Sequence, residues 1–256
     1  MTRILLLGGT TEASQMAAAL AARGADAVFS YAGRTTALAP QPLPMRVGGF
    51  GGIDGLRNYL RAEQITHVID ATHAFAAQMS AHAVAACAAE KVALCAFERP
   101  AWSPQAGDRW TQVADMAAAV AALPAQPTRI FLAIGRQNLE AFAARPEHFY
   151  LLRLVDAPQK QLPLPHAEAL IARGPFTEDG DRALLEQHRI GLIVAKNAGG
   201  EGARSKLDAA RALRLPVILI DRPHIPARRI AGSVTEVLDW LDHAAPVVVP
   251  GAVRGV

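Results

Sequence analysis

The chain has 256 residues, 51% of them hydrophobic and 19% charged, which is enough for one large domain or two of about 120 residues and excludes a disordered chain. The formal charge of +3 is too small and too scattered for a nucleic-acid surface, and it fits an anionic small ligand. No apolar run reaches the roughly 18 residues of a membrane span, and glycine comes too early for a signal peptide, so a cytoplasmic protein with no membrane partner is expected.

In chain order, hydrophobic periodicity predicts strands at Ile4 to Leu7, Ala27 to Ser30, His67 to Asp70 and Val92 to Phe97. Helices are predicted at Glu12 to Ala22, Gly55 to Glu63 and Phe75 to Ala89. This is βαβ wiring. After "LPAQPT", Leu123 to Thr128, strand-like runs return at Arg129 to Ile134, Tyr150 to Val155, Leu192 to Ala195 and Val217 to Ile220. Cys87 and Cys95 lack the C-x-x-C spacing of a metal or redox pair and are expected as reduced core residues, with no metal site.

The second series echoes the first in residues as well as rhythm. "TRILLLGG" is answered by "TRIFLAIG", "THVIDATHAF" by "IGLIVAKNAG", and "VALCAFERP" by "LPVILIDRP". Either this is the shared grammar of parallel strands, or the chain carries two domains of related fold. The second reading predicts an α/β protein of two Rossmann-like domains with parallel sheets and an active-site cleft between them. Residues 1–124 would be the NADP-binding domain, 125–244 the substrate-binding domain and 245–256 a tail.

In "RILLLGGTTEAS" a buried strand stops at two glycines and turns into a helix. Gly8 and Gly9 let the backbone approach a ligand. Thr10 or Thr11 caps the helix, leaving its first N–H groups free for an anion, and with Glu12 they are the candidate phosphate contacts. The spacing is not G-x-G-x-x-G, and a turn without a ligand would read similarly. An NAD-binding domain usually carries an acid about twenty residues further on. Here the chain reads "FSYAGRT", so that Ser30 can bond a ribose and Arg34 a 2′-phosphate, which favours NADPH; Arg34 as a solvated loop residue is the alternative. "MRVGGFGG" offers Gly48 and Gly49 either as a wall beside adenine or as a plain loop. "IDATHAF" brings Thr72 and His73 to the next strand end, as cofactor contacts or as capping residues.

The counterpart turn "AIGRQN" has one glycine and places Arg136 where a phosphate would sit. With Lys196, Asn197, Arg204, Lys206 and Arg222 it gathers basic and polar groups after strand ends, which suits a polyanionic substrate.

"LLLGGTTEA", "DATHAFA", "ERPAW", "KNAGG" and "VILIDRP", in this order over nearly the whole chain, resemble the precorrin-6A reductase family of cobalamin biosynthesis. The resemblance implies two Rossmann-like domains, NADPH, and a polycarboxylate tetrapyrrole whose ring double bond takes a hydride on one carbon and a proton on its neighbour, giving precorrin-6B. Departures are Ala74 where the family often has proline, Ala198 where it often has serine, and Arg136-Gln137 in place of a lysine- or serine-rich turn. For the proton, His73 is the side-chain candidate and water the alternative; Lys196 would act on the substrate carboxylates. The rivals are a cobalt-precorrin-6A reductase, a nucleotide-binding sensor without catalysis, and a dehydrogenase of a small hydroxy acid.

Overall fold

The computed structural model describes residues 2–33, 38–158 and 160–244. The first part of the chain gives β1 (Ile4–Leu7), α1 (Thr11–Ala22), β2 (Ala27–Tyr31), β3 (Met45–Val47), α2 (Gly52–Ala62), β4 (His67–Asp70), α3 (Ala77–Glu90) and β5 (Ala93–Phe97). There follow β6 (Trp110–Val113), α4 (Met116–Ala121), β7 (Arg129–Ala133), a 3-10 helix over Arg136–Ala144, β8 (Phe149–Leu154) and β9 (Ala167–Ile171). The chain continues through α5 (Glu178–Gln187), β10 (Leu192–Lys196), α6 (Ser205–Ala212), β11 (Val217–Ile220), β12 (Arg229–Ala231) and α7 (Val234–His243).

Two sheets result, in the orders β3-β2-β1-β4-β5-β12 and β9-β8-β7-β10-β11-β6, with every pairing parallel. In both, the chain runs from a central strand, β1 or β7, to one edge through two further strands and then returns to the other side through the next two, the doubly wound order. Two Rossmann-like domains are therefore present.

Their boundaries differ from those expected at residue 124. One unit is 1–99 with 224–256, the other 100–223. The reason lies in the sixth strands. After β5 the chain leaves its sheet at Arg99-Pro100, and β6 pairs with β11, Trp110 opposite Val217. After β11 it leaves at Arg222-Pro223, and β12 pairs with β5, Arg229 opposite Cys95. Each half of the sequence repeat thus gives its last strand to the other half's sheet. β6 was not predicted, because "WTQV" is a half-exposed edge strand without an apolar run.

Within the first unit β1 is buried throughout, as a central strand covered on both faces must be. Ile4 and Leu6 pack with Met16, Leu20, Phe29, Val237 and Trp240. Leu5 and Leu7 face the other way, against Leu56, Leu60, Ala83 and Cys87. Both cysteines are buried and free, as expected. Burial pushes the Cys87 thiol up to about 12 and the Cys95 thiol to about 11, so neither supplies a thiolate near neutrality. Among the described residues no helix is long and apolar enough to cross a membrane.

Candidate functional site

The turn after β1 is built by two glycines with different tasks. A Cβ on Gly8 would lie 2.1 Å from the Phe29 ring, so Gly8 lets the turn sit on β2, where its N–H donates to Ser30 O at 3.0 Å. Gly9 has φ +125°, and a Cβ there would meet nothing within 4 Å. Thr10 is the cap: its Oγ1 accepts from Ala13 N at 3.1 Å and donates to Ala71 O at 2.8 Å. Thr11 and Glu12 open α1, and as first-turn residues their N–H groups have no acceptor within the helix. The Glu12 carboxylate receives Arg99 Nη1 at 2.9 Å on both oxygens.

At the end of β2, Ser30 is buried and stands in register with Arg46 of β3. Arg46 Nη1 donates to Ser30 Oγ at 2.7 Å and to Gly48 O at 2.9 Å, and Nη2 to Gly49 O at 3.1 Å. Its guanidinium lies 3.9 Å over the Phe50 ring. A Cβ at Gly48, which has φ +118°, or at Gly49 would touch nothing within 4 Å. The sequence alone singles out Arg34 and not Arg46; Arg34 lies outside the described residues. The available signal was an arginine two residues before paired glycines on the neighbouring strand.

At the end of β4, Asp70 is 3% exposed. Its Oδ1 accepts from Thr72 N at 3.2 Å and Thr72 Oγ1 at 2.7 Å, so the Thr72 hydroxyl holds Asp70. Asp70 Oδ2 is buried without a hydrogen-bond partner. The Arg228 side chain is largely covered and bonded to Glu98; burial pulls its guanidinium below the ordinary value, and the Asp70 charge opposes that. His73 is exposed, and its Nδ1 accepts from Phe75 N at 3.2 Å. That bond assigns the proton of the neutral ring to Nε2.

In the second unit the turn after β7 carries Gly135, with φ +76°, and leads into a 3-10 helix without a side-chain cap. Arg136 is its first residue and is exposed. Lys196 Nζ donates to Asn138 Oδ1 at 3.0 Å, joining the end of β10 to that helix. Asn197 does not present its amide as expected for a substrate contact. It is 4% exposed, with Oδ1 accepting from Trp102 N at 2.8 Å and Nδ2 donating to Trp102 O at 3.0 Å. Arg222 is drawn into the same loop, donating to Asn197 O and Ala198 O, both at 3.1 Å. Both residues shape the turn after β10. Arg204 Nε is 3.2 Å from Asp208, and Lys206 is buried 4.9 Å over the Trp102 ring.

A doubly wound parallel sheet with a glycine turn feeding a capped helix, accompanied by a second sheet of the same order, defines a two-domain Rossmann-like protein. The model of the precorrin-6x reductases CbiJ/CobK matches residues 3–242, and the chain belongs to this family of oxidoreductases. It is similar to the precorrin-6A reductase of Rhodobacter capsulatus, 65% identical over 246 residues that cover 96% of this chain and 98% of that protein. The cobalt-precorrin-6A reductase of Priestia megaterium is 28% identical over 249 residues, covering 93% and 97%. A solved structure titled CobK precorrin-6A reductase superposes with a TM-score of 0.92 at 64% identity, covering 97% of this chain and 100% of that one.

Proposed function

We propose that the protein reduces precorrin-6A to precorrin-6B in cobalamin biosynthesis, with NADPH as reductant. The observation that carries the cofactor is the turn after β1, where the residues fit a dinucleotide: a Cβ on Gly9 would meet nothing within 4 Å, and the first N–H groups of the Thr10-capped α1, without acceptors inside the helix, suit an anion. When bound, NADPH supplies the hydride.

The protein's own residues then bind and orient. Gly8, Gly9, Thr10, Thr11 and Glu12 form the phosphate turn, with Arg99 neutralising the Glu12 carboxylate beside it. Ser30, Gly48 and Gly49 line the ribose and adenine side. Thr72 acts through Asp70, holding the β4 end beside the turn. His73, as the imidazolium, donates the proton from Nε2 and is left as the neutral ring. In the second unit Arg136, Lys196 and Arg204 meet the substrate carboxylates, and Asn197 and Arg222 hold the loop that positions Lys196. The high identity to a precorrin-6A reductase, against the low identity to a cobalt-precorrin-6A reductase, favours the metal-free substrate.

Anaerobic incubation with precorrin-6A and NADPH tests this. One NADPH should be consumed per tetrapyrrole, whose mass rises by two hydrogens. Reduction of cobalt-precorrin-6A but not the metal-free form would reverse the substrate assignment, and no consumption with either would refute the reading.

A further inference from the structure

Arg46 is a half-buried cation with neutral partners. Its hydrogen bonds go to a hydroxyl and two carbonyls, and its faces to Phe50 and, at 5.1 Å, to Tyr59. Among the described residues no carboxylate pairs with it. Burial accordingly pulls its pKa below the ordinary value, with only Tyr59 opposing. A guanidinium carries five N–H donors, and three of Arg46's are engaged by these oxygens. A cation in this condition is stabilised by a bound anion.

Its position says which anion. β3 pairs with β2, putting Arg46 opposite Ser30, and Gly48 N donates to Tyr31 O at 2.9 Å. The carboxyl end of the second strand is where doubly wound domains hold the ribose of the adenosine, with an acid for a free 2′-hydroxyl and an arginine for a 2′-phosphate. Here Ser30 stands at that end with the Arg46 guanidinium against its hydroxyl. The Phe50 stack and the carbonyls of Gly48 and Gly49 fix the plane of the guanidinium, which suits a phosphate's paired oxygens.

We infer that Arg46, set by Ser30, Gly48 and Phe50, reads the 2′-phosphate of the dinucleotide and makes the protein select NADPH over NADH. This rests on the proposal that the first unit binds a nicotinamide dinucleotide. Arg46 is a specificity residue, and its loss should act on one cofactor.

Equilibrium titration of the whole chain with NADPH and, separately, NADH tests it. Arg46→Met keeps the stacking stem without the charge, Arg46→Lys keeps the charge without the planar fork, and Ser30→Ala removes the hydroxyl that sets the guanidinium. Arg46→Met should weaken NADPH by about 30- to 100-fold and NADH by about threefold or less. Arg46→Lys should fall between Arg46→Met and the native chain, and Ser30→Ala should cost NADPH more than NADH. Equal loss for both cofactors would mean that Arg46 only shapes the Gly48–Gly49 loop, and unchanged affinities would mean that it does nothing for the ligand; either overturns the inference. A native chain that binds neither cofactor would instead refute the dinucleotide reading, so the two failures are distinguishable.

Discussion

Arg99 Nη1 lies 2.9 Å from each carboxylate oxygen of Glu12, linking the chain just after β5 to the first turn of α1. Both side chains are about four-fifths buried. The pair places a compensated acid at a helix N-terminus that is proposed to receive a pyrophosphate. Without Arg99 the acid faces the phosphates alone. Arg99→Ala should therefore weaken NADPH and NADH together by about tenfold, a cost of about 1.4 kcal/mol. The loss should shrink in high salt and in the double variant with Glu12→Gln. Loss confined to NADPH would assign Arg99 to the 2′-phosphate instead.

For the proton, His73→Asn should lower single-turnover reduction by about 10² to 10⁴ with little change in NADPH affinity, the range expected for losing a general acid. His73 is exposed, and its neutral ring accepts from Phe75 N at Nδ1; the acid is the imidazolium, which gives up that bond, donates from Nε2 and is left as the neutral ring. A near-normal rate with an unchanged pH profile removes His73 from the mechanism and leaves water as the donor.

Asn197 is a different case, because its amide closes two buried hydrogen bonds with the Trp102 backbone. Asn197→Ala leaves that N–H and that carbonyl unsatisfied and should cost about 2 to 4 kcal/mol in urea unfolding. Asn197→Asp keeps the acceptor but turns an oxygen on the Trp102 carbonyl, and should destabilise as well. A silent Asn197→Ala variant would return Asn197 to the list of direct substrate contacts.

Two buried histidines set an acid limit. Desolvation holds His67 and His148 below their ordinary value of 6.5, and both are essentially inaccessible, at 1% and 0% exposure. As pH falls through the ordinary value, the unfolded chain takes up protons that the folded chain refuses, so stability declines. Above that pH both states are neutral there and the effect vanishes. Each histidine contributes a slope of up to about 1.4 kcal/mol per pH unit. Urea midpoints measured between neutrality and mild acid should fall, and His67→Phe should flatten the fall; an identical slope in that variant would place the acid sensitivity elsewhere.

The buried central strands were legible because they are continuous apolar runs: Ile4 to Leu7, Leu192 to Ala195 and Val217 to Ile220 declare themselves. So was the turn from β1 into α1, through Gly8, Gly9 and the Thr10 cap. The exchanged edge strands were not, since "WTQV" and "RIA" are short and half exposed, and nothing local says which sheet an edge strand joins. Nor did the sequence separate polar residues that meet a ligand from those that fold a loop. Asn197 and Arg222 follow strand ends as ligand contacts do, and only the position of Trp102 and of the Asn197 and Ala198 carbonyls shows their task. Arg46 was hidden for the opposite reason, because its significance depends on the strand beside it.

The division of labour between the two sheets is tested most directly by calorimetric titration of NADPH into the native chain and into Gly9→Ala and Gly135→Ala. Gly9, at φ +125°, opens onto the proposed phosphate space, while Gly135, at φ +76°, leads into an uncapped 3-10 helix. The account predicts one NADPH per chain, binding weakened by about tenfold or more in Gly9→Ala through strain and a filled cradle, and unchanged stoichiometry in Gly135→Ala. Two equivalent sites, or binding abolished by Gly135→Ala and indifferent to Gly9→Ala, would contradict it.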